Sequence, residues 1–204
     1  MVVRTLVGWM LALSMVQSAL AHPFSQEEYS LRTAVTVSDK GVVPLVVLEI
    51  PIPIALKEIG AAVEDHTDVK RRKIKAYNNQ QWQTLSTNLT FSIDGQPVKG
   101  EWLAIDHPAN GKATEGFFVY MVSFMFTEPV ALSESTTIEV VNSAYPDAKM
   151  VYSGSATTKA PWTIVDSTSR RVLGDNEGAD LTDPLRWSTD PALRTMTIEA
   201  RKVQ

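Results

Sequence analysis

Cleavage after Ala21 would leave His22 as the first residue of the mature chain. A first-position histidine can chelate one metal through its α-amine and its ring nitrogen, a pairing suited to copper. Such a site would recruit a further histidine, and His66 and His107 are the only others in the sequence. Neither sits in a His-x-x-x-His pair. The plainer alternative is that cleavage happens to leave His first, with Pro23 stiffening the terminus.

Lys70-Arg71-Arg72-Lys73-Ile74-Lys75 places five positive charges in six residues. On a helix they spread over more than half the circumference. Lys70, Arg71, Arg72, Lys73 and Lys75 could meet anionic headgroups or an acidic partner. The alternative is a solvated helix face, balanced in part by Glu64, Asp65 and Asp68. Trp162 and Trp187 fall near loops, which makes them candidate exposed anchors for a partner.

Phe118, Tyr120, Phe124 and Phe126 share one face of a strand, with Phe117, Val119 and Met121 on the other. The first set could line a cavity for an apolar ligand beneath the helix, or it could be ordinary core. Asp175, Glu177, Asp180 and Asp183 gather in a polar stretch without the ligand spacing of a calcium loop. The sequence carries no Gly-x-Ser-x-Gly, no phosphate-binding glycine loop and no His-Glu-x-x-His. No catalytic residue is assigned, and the balance falls against an enzyme.

These residues need a scaffold, and the alternation supplies one. Tyr29, Leu31, Thr33, Val35 and Val37 share a strand face. Residues 42–50 are apolar on both faces, as in a central strand, and Pro51 and Pro53 end the run. Residues 67–89 read as one amphipathic helix, with Ile74, Tyr77, Gln81, Trp82, Leu85 and Leu89 on its apolar side. Asp94-Gly95 marks a hairpin, after which residues 97–105 can return beside the preceding strand. Residues 116–126 form a second central strand. Further strands are expected at 136–141, 149–152, 162–165 and 195–200. A polar, acidic excursion is expected over residues 166–190. The fold expected is mainly β, an Ig-like β-sandwich with one inserted amphipathic helix at about 67–89.

The first 21 residues explain where such a domain would work. Arg4, the apolar run over residues 6–16 and Ala19-Leu20-Ala21 form a secretory signal-peptide pattern. Residues 22–204 are then expected to be a single domain, with no transmembrane segment after cleavage. The absence of cysteine excludes disulfides and thiolate metal sites. With 23 acidic against 19 basic residues, the chain is a poor general nucleic-acid binder. The expected compartment is the periplasm, or the exterior of a secreting cell.

The order of these segments resembles a known family region. His22-Pro23, Tyr29 with Arg32, and Val46-Val47-Leu48-Glu49-Ile50-Pro51 begin it. A helix over residues 69–85 leads to Phe91-Ser92-Ile93-Asp94-Gly95-Gln96-Pro97-Val98, and Ala144-Tyr145-Pro146 comes later. The chain resembles the extracytoplasmic N-terminal region that precedes the membrane helices of nickel/cobalt-transporter-like and hydrogenase/urease-accessory-like membrane proteins. The resemblance implies an extracytoplasmic β-domain acting without those helices, and transport activity does not carry over. The function expected is a non-enzymatic binding or accessory protein that meets an envelope protein or a membrane surface. A copper-binding periplasmic protein and a small apolar-ligand carrier are the alternatives. The expectation includes no cofactor, apart from the copper alternative. Oligomeric state is not legible.

Overall fold

The computed structural model describes residues 28–60, 68–106, 116–168 and 189–203, and most of them follow the period-two alternation of strands. β1 (Tyr29–Ser38) and β2 (Gly41–Pro51) form an antiparallel hairpin. Two helices follow, α1 (Ile52–Ile59) and α2 (Asp68–Thr87). The chain then forms β3 (Leu89–Ile93), β4 (Gln96–Pro97), β5 (Gly100–Asp106), β6 (Phe117–Phe126), β7 (Ser135–Asn142), β8 (Met150–Thr158) and β9 (Trp162–Ser167). A 3-10 turn (Pro191–Arg194) leads into β10 (Thr195–Lys202).

The strands make two five-stranded sheets, ordered β5-β6-β2-β1-β8 and β4-β3-β7-β10-β9. The fold is a mainly β sandwich with an inserted helix, as the alternation implies. β2 lies between β1 and β6, the central place expected for residues 42–50. β1 pairs with β8 in parallel, Tyr29 opposite Met150, whereas its partner on the other side, β2, is antiparallel.

The core lies between the sheets. Val46, Leu48 and Ile50 from β2 meet Ile138 of β7 and Ile198 of β10, all without solvent exposure. Burying each such side chain stabilises the fold by about 1.5–3 kcal/mol. The Phe91 ring of β3 and the Phe124 ring of β6 lie 5.0 Å apart and join the sheets directly. Gly100 makes room for this cluster. A Cβ there would fall 2.2 Å from the Met125 carbonyl oxygen and 2.5 Å from the Phe124 ring.

Asp94 and Gly95 take φ values of 52° and 72°, the left-handed pair of a tight hairpin. The Asp94 carboxylate also accepts from the Thr137 backbone N–H at 2.7 Å and from the Thr136 hydroxyl at 3.1 Å. It thereby pins the hairpin tip to the start of β7.

Three sequence expectations need correction. The chain at Pro51 and Pro53 stops a strand but also starts a helix. Pro51 stands at the N-cap position of α1 without a capping side-chain hydrogen bond, and Pro53 falls in its first turn, where a missing N–H costs nothing. Ala55, Leu56 and Ile59 then bury one side of α1, and Gly60 ends it at φ 64°. The segment after the Asp94-Gly95 turn does not return along β3. β4 covers only two residues of it, and β5 crosses to the other sheet to pair with β6. Trp162 is not an exposed anchor. It opens β9 opposite Lys202, and its ring is buried in the core.

Candidate functional site

The register gives the sandwich two unlike ends. β2 runs from its hairpin with β1 to α1, and β6 runs the opposite way, with Val46 opposite Val122. Phe117 therefore lies near the helices and Phe126 near the hairpin. The alternate residues Phe118, Tyr120, Val122 and Phe124 are buried, while Phe117, Val119 and Met121 are only half-buried. The face that the aromatic pattern singles out is thus core along most of its length.

At the helical end the core is polar. Tyr29 of β1 and Tyr77 of α2 donate to the two carboxylate oxygens of Glu58 on α1, the Tyr77 bond being 2.6 Å. The Tyr120 phenol donates to the Asn78 side-chain oxygen at 2.9 Å, and the Tyr145 phenol to Gln81 Oε1 at 2.6 Å. Burial pushes all four phenols above the ordinary tyrosine range, and the Glu58 carboxylate adds to the rise. Each hydroxyl is therefore held as a neutral proton donor. Arg194 completes the frame by donating to the Ala144 carbonyl at 2.6 Å and the Tyr145 carbonyl at 2.8 Å. Every phenol in this set is spent on a protein acceptor. The network therefore locks both helices to the sandwich.

On the outer face of the first sheet, Ser30 donates to Glu49 at 2.9 Å, and Arg32 and Glu49 are both buried. Burial lowers the Arg32 pKa, and the neighbouring Glu49 carboxylate opposes that fall.

At the hairpin end the surface is apolar and open. A groove of about 750 Å³ runs between the Lys40-Gly41 turn, the outer ends of β5 and β6, and the loop that follows β6. Val43, Ile105 and Met125 line it and are 53%, 47% and 56% exposed. Phe124 and Phe126 also line it, at the end of β6 away from the helices, so it is not the cavity beneath the helix that the aromatic pattern suggests. The Ser123 hydroxyl in the lining donates to the Pro44 carbonyl at 2.8 Å. Glu128 on the rim pairs with Lys99 at 3.1 Å.

A second cleft of about 500 Å³ opens between α2, β3 and β5, lined by both Trp82 and Trp102. Both indole N–H groups are buried and make no hydrogen bond among the described residues.

No protein-family model matches the chain, and no curated protein sequence matches it. The candidate site accordingly rests on geometry.

The structure distributes the residues singled out from sequence as follows. Arg71, Arg72, Lys73 and Lys75 are exposed along α2, but Lys70 is buried. Lys73 reaches the Gly60 carbonyl at 3.3 Å, so part of the basic run caps the end of α1. The run lies at the helical end, away from the groove. His22, His66, His107 and Trp187 lie outside the described residues, as do residues 1–21 and most of the acidic excursion. Among the described residues, no group of three or more His, Cys, Asp or Glu is placed to hold a metal. No described helix is long and apolar enough to cross a membrane.

Sequence reasoning did not find the groove. Residues 42–50 read as covered on both faces, yet Val43 faces water. Met125, on the less aromatic face of β6, carried the one available signal, an apolar residue near a strand end with no role in the core.

Proposed function

We propose that this chain is an exported, non-enzymatic binding module of the cell envelope whose working surface is the groove at the hairpin end. One observation carries the proposal. Val43, Ile105 and Met125 are large apolar side chains left about half exposed, and all three gather on one concave surface. Apolar side chains grouped in this way mark a surface that is covered when the protein works. The secretory pattern of residues 1–21 and the resemblance to an extracytoplasmic domain beside membrane helices both support a role at a membrane surface or against an envelope protein. The tyrosine network supports a non-enzymatic role, because its proton donors are all engaged within the fold.

Expression in an exporting host tests the proposal. Wild-type protein should co-fractionate with envelope membranes, and Val43→Asp combined with Met125→Asp should release it while leaving circular dichroism and the melting temperature unchanged. Equal recovery of the two proteins from the membrane fraction would end this reading. The exposed basic residues Arg71, Arg72, Lys73 and Lys75 would then be the next surface to test.

A further inference from the structure

The groove has a chemical direction as well as a shape. Its walls are hydrocarbon: Val43 and Met125 on the sheet, Ile105 at the edge strand, and Phe124 and Phe126 behind. Its volume, about 750 Å³, lies in the range of about 300–1,000 Å³ typical of small-molecule sites. The charges around it are unequal. Glu128 is engaged by Lys99, and Ser123 is engaged by Pro44. Lys40 lines the groove from the β1–β2 turn, and its ammonium makes no ion pair or hydrogen bond among the described residues. An apolar trough with one uncommitted cation in its lining is complementary to a chain that is hydrocarbon along its length and anionic at its end.

We infer that the groove takes a single-chain carboxylate amphiphile, the free fatty-acid class, with its carboxylate at Lys40 and its chain laid along Val43, Met125 and Ile105. This rests on the groove being the binding surface, and it names the occupant. Lys40 is the specificity-determining residue, and the apolar walls supply the affinity. Each methylene that leaves water should strengthen binding by up to about fourfold until the trough is full.

The test uses the purified processed protein and a fluorescent fatty acid, 11-(dansylamino)undecanoic acid, displaced by oleate, by oleyl alcohol and by saturated carboxylates of increasing length. Wild type should bind the probe with one-to-one stoichiometry, and displacement should improve with chain length and then level off. Met125→Asp should weaken all ligands at least tenfold. Lys40→Gln should weaken oleate about fivefold to tenfold and leave oleyl alcohol unchanged. Intact vesicles of phosphatidylglycerol should compete more weakly than oleate.

An equal effect of Lys40→Gln on acid and alcohol would overturn the carboxylate assignment and leave the groove as an apolar site. If wild type binds no chain but Val43→Asp combined with Met125→Asp still releases the protein from envelope membranes, the fatty-acid inference falls and the binding reading stands. If neither is seen, both fall. Competition by intact vesicles as strong as by oleate would overturn the free-chain assignment in favour of the bilayer surface.

Discussion

The phenol of Tyr120 and the side-chain oxygen of Asn78 are 2.9 Å apart, and their hydrogen bond joins the inner face of β6 to the middle of α2. Both residues are buried. A buried bond of this kind is costly to break from one side, because the surviving partner stays out of water. Tyr120→Phe should therefore lower the unfolding free energy by about 1–3 kcal/mol. Urea denaturation should show an earlier midpoint with an unchanged slope, since the surface exposed on unfolding is the same.

Glu58 should matter more than any one tyrosine, because it accepts from both Tyr29 and Tyr77. Glu58→Ala should cost about 1–3 kcal/mol, since bonds to a charged acceptor exceed neutral ones but the exposed carboxylate is screened by water. Glu58→Gln keeps one acceptor oxygen and should recover at least half of that loss. Equal destabilisation by the two variants would show that side-chain bulk, and not the pair of accepted protons, holds α1 in place.

Alkaline pH should unfold the protein through the same cluster. Burial first, with the Glu58 carboxylate adding, raises the Tyr29 and Tyr77 phenols above their ordinary value. The folded state then keeps protons that the unfolded chain would release. This contribution to stability is fully present below about pH 10 and is lost as pH rises towards the folded-state values. Denaturation midpoints should fall above that pH, and tyrosinate absorbance should appear together with loss of circular dichroism. Tyr77→Phe should flatten the pH dependence.

Gly100→Ala should destabilise by about 1–3 kcal/mol through overpacking. The added methyl would meet the Met125 carbonyl, which is backbone and cannot swing away as a flexible side chain would. Thermal melting would check this. Gly95→Ala makes a useful contrast: nothing lies within 4 Å of its added Cβ, so any cost there comes from a φ of 72°.

Much of the sandwich was legible because strands write their burial into every second residue. Tyr29, Leu31, Val35 and Val37 face the core as alternation requires, and the apolar side of α2 is correctly marked by Ile74, Tyr77 and Leu85. Two kinds of feature were not legible. One is local chemistry with two outcomes, as at Pro51 and Pro53, where the same residues end a strand and begin a helix. The other is long-range assembly. Nothing local tells Trp162 that its ring will enter the core, or sends β5 to a different sheet from β3. The groove belongs to the second kind. Val43, Ile105 and Met125 come from three strands and become one surface only when β2, β6 and β5 are placed side by side.

The parallel pairing of β1 with β8 governs the order in which the fold can be completed. Tyr29 to Val37 lie opposite Met150 to Thr158, so the first strand to be made waits for one of the last. Until then one edge of β1 presents unsatisfied backbone groups, which any stray extended segment can copy. Contacts so distant in sequence also slow the search for the native state. A chain stopped before β8 would therefore carry a bare, adhesive edge, and its main hazard would be self-association before loss of helical structure.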